Sequence, residues 1–472
     1  MVAFWLFLSC GLQPVGSDIC ASDAQCRDAF GFASTCSSEG TCERAAPHPR
    51  CERTFPEDLW LRPEAYRDHY VVGSIFDMEA DGPEVQAIQL ALNEMNGAGG
   101  LYGDEVAMVQ CDYSRNLAYD QLTETEAVQQ TADFLADIIG VPAILGPGTS
   151  GHSETAYLWL EGRDVLLISP SATSPKLNTI DGETSTDTSP GLFWRASPPD
   201  DAQSIAIVLD MESRDVTDIA IIYQDNPYGS ALAELVMAGH EGSELLFAYS
   251  DDNERTAAIQ AAGADDAVEE VLFIASDVQD VVAFLNSAAL VGAYEDKTIF
   301  LTDSSYDQYL LDNVSASVES LYPSIRGSRP TTPSGMVYDA FLIAYASAYD
   351  GEDPSTGAYN AYAYDIGWMS LYGLSWALAQ EAKVSGTEMA RGLRQLSTPG
   401  TPLFVGPEDW FAVVDAFERG QAVDIQGASG TLDFDPVTGE TANPIDIWTV
   451  DGKGFTVVKT CDIEGDCVES SP

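Results

Sequence analysis

No stretch of this chain constrains its fold more than residues 141–177, VPAILGPGTSGHSETAYLWLEGRDVLLISPSATSPKL. Val141 to Leu145 and Val165 to Ile168 are apolar runs of strand length, and Ser153 to Leu160 between them can coil into a helix. The unit is β-α-β. Each run ends in small hydroxyl and glycine residues, from Gly146 to Gly151 after the first and from Ser169 to Ser174 after the second. In an open parallel sheet such loops lie at the carboxyl ends of the strands, where ligands bind.

The first loop also opens a helix, so Thr149, Ser150 and the backbone N–H groups after them form a positively polarised socket suited to a carboxylate. Gly146, Gly148 and Gly151 satisfy G-x-G-x-x-G, yet the acidic residue a dinucleotide site needs about 20 residues later is replaced by Ile168-Ser169-Pro170. A nucleotide is disfavoured. Gly148-Thr149-Ser150-Gly151 falls one residue short of a nucleophile elbow. The four histidines (His48, His69, His152 and His240) include no metal-type pair, and Asp433 to Glu440 lacks calcium-loop spacing. The expectation is a binding protein without catalytic residues, cofactor or metal.

Met1 to Leu8 is the one continuous apolar run near the start, too short to span a bilayer at the roughly 20 residues required. Residues 1–9 read as a signal peptide remnant, and Phe7-Leu8-Ser9-Cys10 is similar to a bacterial lipoprotein processing site with Cys10 as the lipidated residue. The other eight cysteines form an even set, as an oxidising compartment favours. Five crowd residues 20–51, in a segment with too little apolar surface to fold unaided, so residues 10–65 are expected to be a disulfide-stapled stalk and linker. Zinc is the rival, but paired C-x-x-C knuckles are missing. Cys461 and Cys467 bracket a loop short enough to close in a 461–472 tail, which leaves Cys111 for Cys51.

Acidic residues number 75 against 21 basic, a net charge of −54. Nucleic acid is excluded as a partner, because phosphate binding is carried by Lys and Arg. The acids are spread along the chain as a solvated surface, which suits an exported protein in brine.

Strand and helix patterns alternate from His69 onward. The expected strands are 69–76, 106–111, 141–145 and 165–168, then 219–223, 245–249, 271–275 and 298–302, with helices between them and a long aromatic core helix at 359–378. Gly430 to Phe434, Asp446 to Val450 and Phe455 to Val458 read as short strands. The class is α/β, with two doubly wound parallel sheets.

GPGTSGHS followed about a dozen residues later by LLISPSATSPKL resembles the type I periplasmic binding proteins of the branched-chain amino acid family. NGAGGLYG at 96–103, YQDNPYG at 223–229, Tyr364-Asp365, and GASG with DFD at 427–435 match the family in the same order, over about residues 68–458. The resemblance implies two lobes joined by three crossovers, 66–196 plus 328–395 and 197–327 plus 396–460, with ligand in the cleft. It implies that Thr149 and Ser150, with Ser171, Ala172 and Thr173, hold the α-carboxylate and ammonium of a ligand, and that Tyr228 closes over it. Asp303 is nearest to the family's ammonium partner, although Ser304 takes the aligned acidic position. Phe76 heads a first-strand loop shorter and more acidic than usual. The implied role is an extracytoplasmic, membrane-anchored solute-binding lipoprotein, in the periplasm or at the cell surface, that serves an ABC permease. A tethered sensor domain that signals by lobe closure is the second reading.

Overall fold

In the computed structural model the described residues are 20–470 apart from 116, 118, 119, 183–185, 382, 436 and 453. Cys10 and the signal segment lie outside them. Six strands form the first sheet in the order Arg53–Phe55, Val106–Asp112, Tyr70–Phe76, Ala143–Leu145, Leu166–Ser169, Phe193–Arg195. All are parallel except the first, which runs antiparallel at the edge. The parallel strands are apolar nearly throughout because helices cover both faces.

The second sheet runs Ser243–Tyr249, Asp218–Gln224, Glu270–Ile274, Thr298–Leu301, Ile325–Pro330, then Ile445–Asp451, Gly454–Cys461 and Cys467–Glu469. Its first five strands are parallel and the last three antiparallel. Between the two sheets the chain crosses after Arg195, after Pro330 and after Phe434.

The third crossing differs from expectation. Residues 396–434, assigned by resemblance to the second lobe, pack in the first: Trp410, Val413, Phe417, Ile425 and Phe434 join one apolar core with Trp368 and Tyr372 of the helix Asn360–Gln380. That helix is buried all round, as its aromatic pattern implies. Gly430 to Phe434 is no strand, because Asp365 instead clasps the preceding loop, accepting from the Ala428 and Ser429 N–H groups and the Ser429 hydroxyl. A Cβ on Gly427 would lie 2.2 Å from the Asp365 carboxylate, so only glycine lets the loop come this close.

The expected stalk is docked onto the first lobe. Cys20 is bonded to Cys36, Cys26 to Cys42, Cys51 to Cys111 and Cys461 to Cys467. Zinc is ruled out for the front cluster because these sulfurs are spent on disulfides. Phe32, Leu59 and Tyr66 share a core with Ile75, Val109 and Leu135. Arg50, 2 % exposed, donates to both carboxylate oxygens of Asp120 and to the carbonyls of Asp112 and Ser114. Prolines and charges made residues 47–63 look like a linker, but long-range partners hold them. The Cys51–Cys111 bond closes a 60-residue separation, which in the chain-entropy account stabilises the fold by about 4 kcal/mol.

Candidate functional site

Both hydroxyl loops stand at the carboxyl ends of their strands, side by side. Gly146 sits at φ +85°, where a side chain would meet the Ile75 carbonyl at 2.6 Å and the Phe76 ring at 2.9 Å. Phe76 is thus the buried floor beneath the first loop. Thr149 caps the helix Ser150–Trp159, accepting from the His152 N–H, and its hydroxyl also meets His152 Nδ1 at 2.8 Å. His152 reaches Glu124 through Nε2 at 3.4 Å, so it is a helix-terminus residue with a carboxylate partner.

Ser150, 3 % exposed, accepts from the Ser174 N–H at 3.1 Å and locks one loop to the other. Ser171 donates to the Gly148 carbonyl at 3.2 Å. The Ala172 N–H is held by Ser169 Oγ, and the carbonyls of Ala172 and Ser174 both accept from Arg195 Nη1, at 2.8 and 3.0 Å. Arg195 also donates to Glu440 and Asn178. It is the frame on which the second loop is stretched. Thr173, between those two carbonyls, is buried and accepts the Asp200 N–H through its own carbonyl.

The second lobe answers with the helix Pro227–Gly239, capped by Asn226, which accepts from the Gly229 N–H. Ser174 Oγ donates to the Pro227 carbonyl at 2.8 Å and Lys176 Nζ to Ser230 Oγ at 2.7 Å, so the lobes are closed on one another. Asp303 is the buried hub: Tyr228 and Gln203 donate to one carboxylate oxygen and Tyr359 to the other. Tyr359 arrives from the start of the long helix. The hub therefore joins segments 203, 228, 303 and 359. Ser304 turns away and donates to the Ala275 carbonyl.

Asp200, 1 % exposed, lies beside this hub. Burial, and then the charge of Asp303, push its pKa well above the ordinary carboxylate range, against the pull of the Thr173 hydroxyl. That hydroxyl completes no hydrogen bond, since neither oxygen of Asp200 has a partner at bonding distance. Along the rim, burial and the neighbouring Asp77 push Asp81 up to about 7, and burial with Asp280 pushes Asp277 to about 6. Asp77 itself braces its turn, accepting from the Glu79 and Ala80 N–H groups and from Ser114 Oγ, whereas Asp225 is exposed.

A pocket of about 10 Å³ beside Arg329 and Tyr338 borders Ala358 and Ala361, on either side of Tyr359 in the sequence, and one of about 340 Å³ beside Arg27 and Asp164 lies at the amino ends of the strands, away from the hydroxyl loops. Sequence reasoning brought together Thr149, Ser150, Ser171, Ala172, Thr173, Tyr228 and Asp303, and missed Arg195, Asp200, Gln203 and Tyr359. The run Arg195-Ala-Ser-Pro-Pro-Asp200 was a usable signal, because two opposite charges flank a Pro-Pro crossing between lobes.

A family model described as periplasmic binding protein matches residues 77–453. A Halobacterium salinarum protein, the chemotactic signal transduction system substrate-binding protein BasB, is 30% identical over 181 residues, which is 37% of this chain and 39% of that protein. The chain thus spans about two fifths of that relative's length. Among solved structures, the branched-chain amino acid transporter substrate-binding protein LivJ of Streptococcus pneumoniae, in complex with isoleucine, superposes with TM-score 0.62 at 20% identity, over 85% of this chain and 100% of that one. A solute-binding protein of an ABC transporter from R. palustris, in complex with benzoate, gives TM-score 0.61 at 12% identity over 85% and 98%. At these identities the likeness is one of fold.

Proposed function

Because this chain belongs to the periplasmic binding protein family, whose model spans residues 77–453, we propose that it captures an amino acid or similar small zwitterion between its lobes and delivers it to an ABC importer. The observation that carries the reading is the pair of hydroxyl loops, joined through Ser150 and Ser174 and faced across the cleft by Tyr228 and Asp303. Solved relatives of the same fold hold isoleucine and benzoate, so the scaffold accommodates both zwitterions and plain carboxylates.

A thermal-shift screen of amino acids, carboxylates, amines and sugars tests it. A ligand at 100 times its dissociation constant that binds the folded state alone adds about 2.7 kcal/mol, so one class should raise the melting midpoint. A shift with sugars alone would falsify the amino-acid reading and leave the fold intact.

Similarity to a chemotactic substrate-binding protein favours a second reading, in which lobe closure signals to a membrane receptor. Both readings include anchoring through a lipid on Cys10, suggested by Phe7-Leu8-Ser9-Cys10. On that proposal the native protein partitions with membranes and Cys10→Ser releases it; equal solubility of the two would remove the anchor.

A further inference from the structure

We propose that the solute is a small organic cation, an amine-bearing molecule whose positive charge exceeds any carboxylate charge it carries, seated between Asp200 and Asp303. The inference rests on the solute-binding reading above and concerns the ligand's charge.

Asp200 and Asp303 are 1 % and 4 % exposed. All three donors to Asp303 are neutral, namely Tyr228, Tyr359 and Gln203. Asp200 has no hydrogen-bond partner for either oxygen. Arg195 is the cation that acts on Asp200, and it donates to Glu440, Asn178 and two loop carbonyls. An unpaired carboxylate in such a place is costly unless it is protonated or meets a cation. A protonated amine supplies both charge and hydrogen-bond donors.

The surroundings push the same way. Asp277 and Asp307 of the second lobe lie close enough to Asp81 and Glu84 of the first for their charges to act on them, Asp277 on Asp81 and Asp307 on Glu84. An acidic mouth concentrates cations. The hydroxyl loops bring hydrogen-bond donors but no free cation to balance these acids: Lys176 lies on Ser230 and the Thr149 hydroxyl on His152.

The test is calorimetric titration of the intact protein, at one fixed molar salt concentration, with putrescine, lysine, leucine and benzoate, followed by the same titrations of Asp200→Asn. The expected result is that putrescine or lysine binds at least tenfold more tightly than leucine or benzoate. Asp200→Asn should weaken the amine by about tenfold to a hundredfold, the range of one hydrogen bond to a charged group. Its melting midpoint without ligand should stay level or rise, because neither carboxylate oxygen has a hydrogen bond to lose; a merely structural aspartate would instead lower it. Leucine or benzoate binding as well as the amines overturns this inference while the solute-binding reading stands. So does full amine affinity in Asp200→Asn. Binding of no compound from any class would count against the solute-binding reading itself. The panel on the unaltered protein decides even if the variant fails to fold.

Discussion

Moved from molar salt into dilute buffer, the protein is expected to lose much of its thermal stability. Its net charge is −54, and self-repulsion of that size opposes the compact state. Burial worsens the imbalance: among the described residues six basic ones (Arg50, Arg195, Arg255, Lys297, Arg329 and Lys459) are buried, against seven of the far more numerous acidic ones (Asp200, Asp210, Glu270, Asp303, Asp365, Glu388 and Asp446). The surface that faces solvent is therefore still more acidic than the composition. Screening reaches over about 3 Å at 1 M salt and about 30 Å at 0.01 M, so at low salt each acid feels most of one face of the molecule. The melting midpoint should fall by at least about 10 °C between 2 M and 0.02 M sodium chloride, several kcal/mol for a chain this large. Circular dichroism melts across that series provide the check, and a midpoint that does not move would refute the repulsion argument.

Replacement of Arg195 by Met is the single substitution expected to cost most. The guanidinium is 1 % exposed and its partner Glu440 only 12 % in the side chain, at 2.6 Å. Removing one member of such a pair leaves a buried charge uncompensated, typically about 3–5 kcal/mol. Here the carbonyls of Ala172 and Ser174 also lose their donor, so the loop carrying Thr173 slackens. Stability and ligand affinity should fall together. Lys should rescue neither, because an ammonium cannot serve Glu440, Asn178 and two carbonyls from one planar fork. Urea unfolding with a ligand titration reads both quantities; a loss below about 1 kcal/mol with unchanged affinity would mean that Arg195 frames nothing.

The alternation of strands and helices was legible because strands of a parallel sheet covered on both faces carry continuous apolar runs, as at 106–109 and 271–274. Strands that carry charge were not. Ile325–Pro330 reads IRGSRP, a loop by composition, yet Arg326 is paired with the buried Asp210 and Gly327 lies under Trp448. Phe193–Arg195 hides for the same reason, its arginine being spent inside the site. Residues 402–434 joined the first lobe through Trp410 and Phe417, contacts whose partners lie dozens of residues away. No local pattern records them.

The site divides in the same manner. Its loops announce themselves by glycine and hydroxyl content on one β-α-β unit, whereas Asp200, Asp303 and Tyr359 become neighbours only when the chain has crossed between lobes. Tyr359 reads as the first residue of an aromatic core helix, yet it stands just before the helix Asn360–Gln380, its ring buried and its hydroxyl on Asp303.

The central claim, that a solute is held between the hydroxyl loops and the second lobe, is tested most directly by titrating the compound found in the thermal-shift screen into the parent protein, Thr173→Ala and Tyr228→Phe. Thr173→Ala removes a hydroxyl from the second loop and Tyr228→Phe one of the donors that hold Asp303, and each folded variant should bind about tenfold to a hundredfold more weakly. Parent-like affinity in both, with their folds intact, would place the solute elsewhere on the molecule and contradict the account.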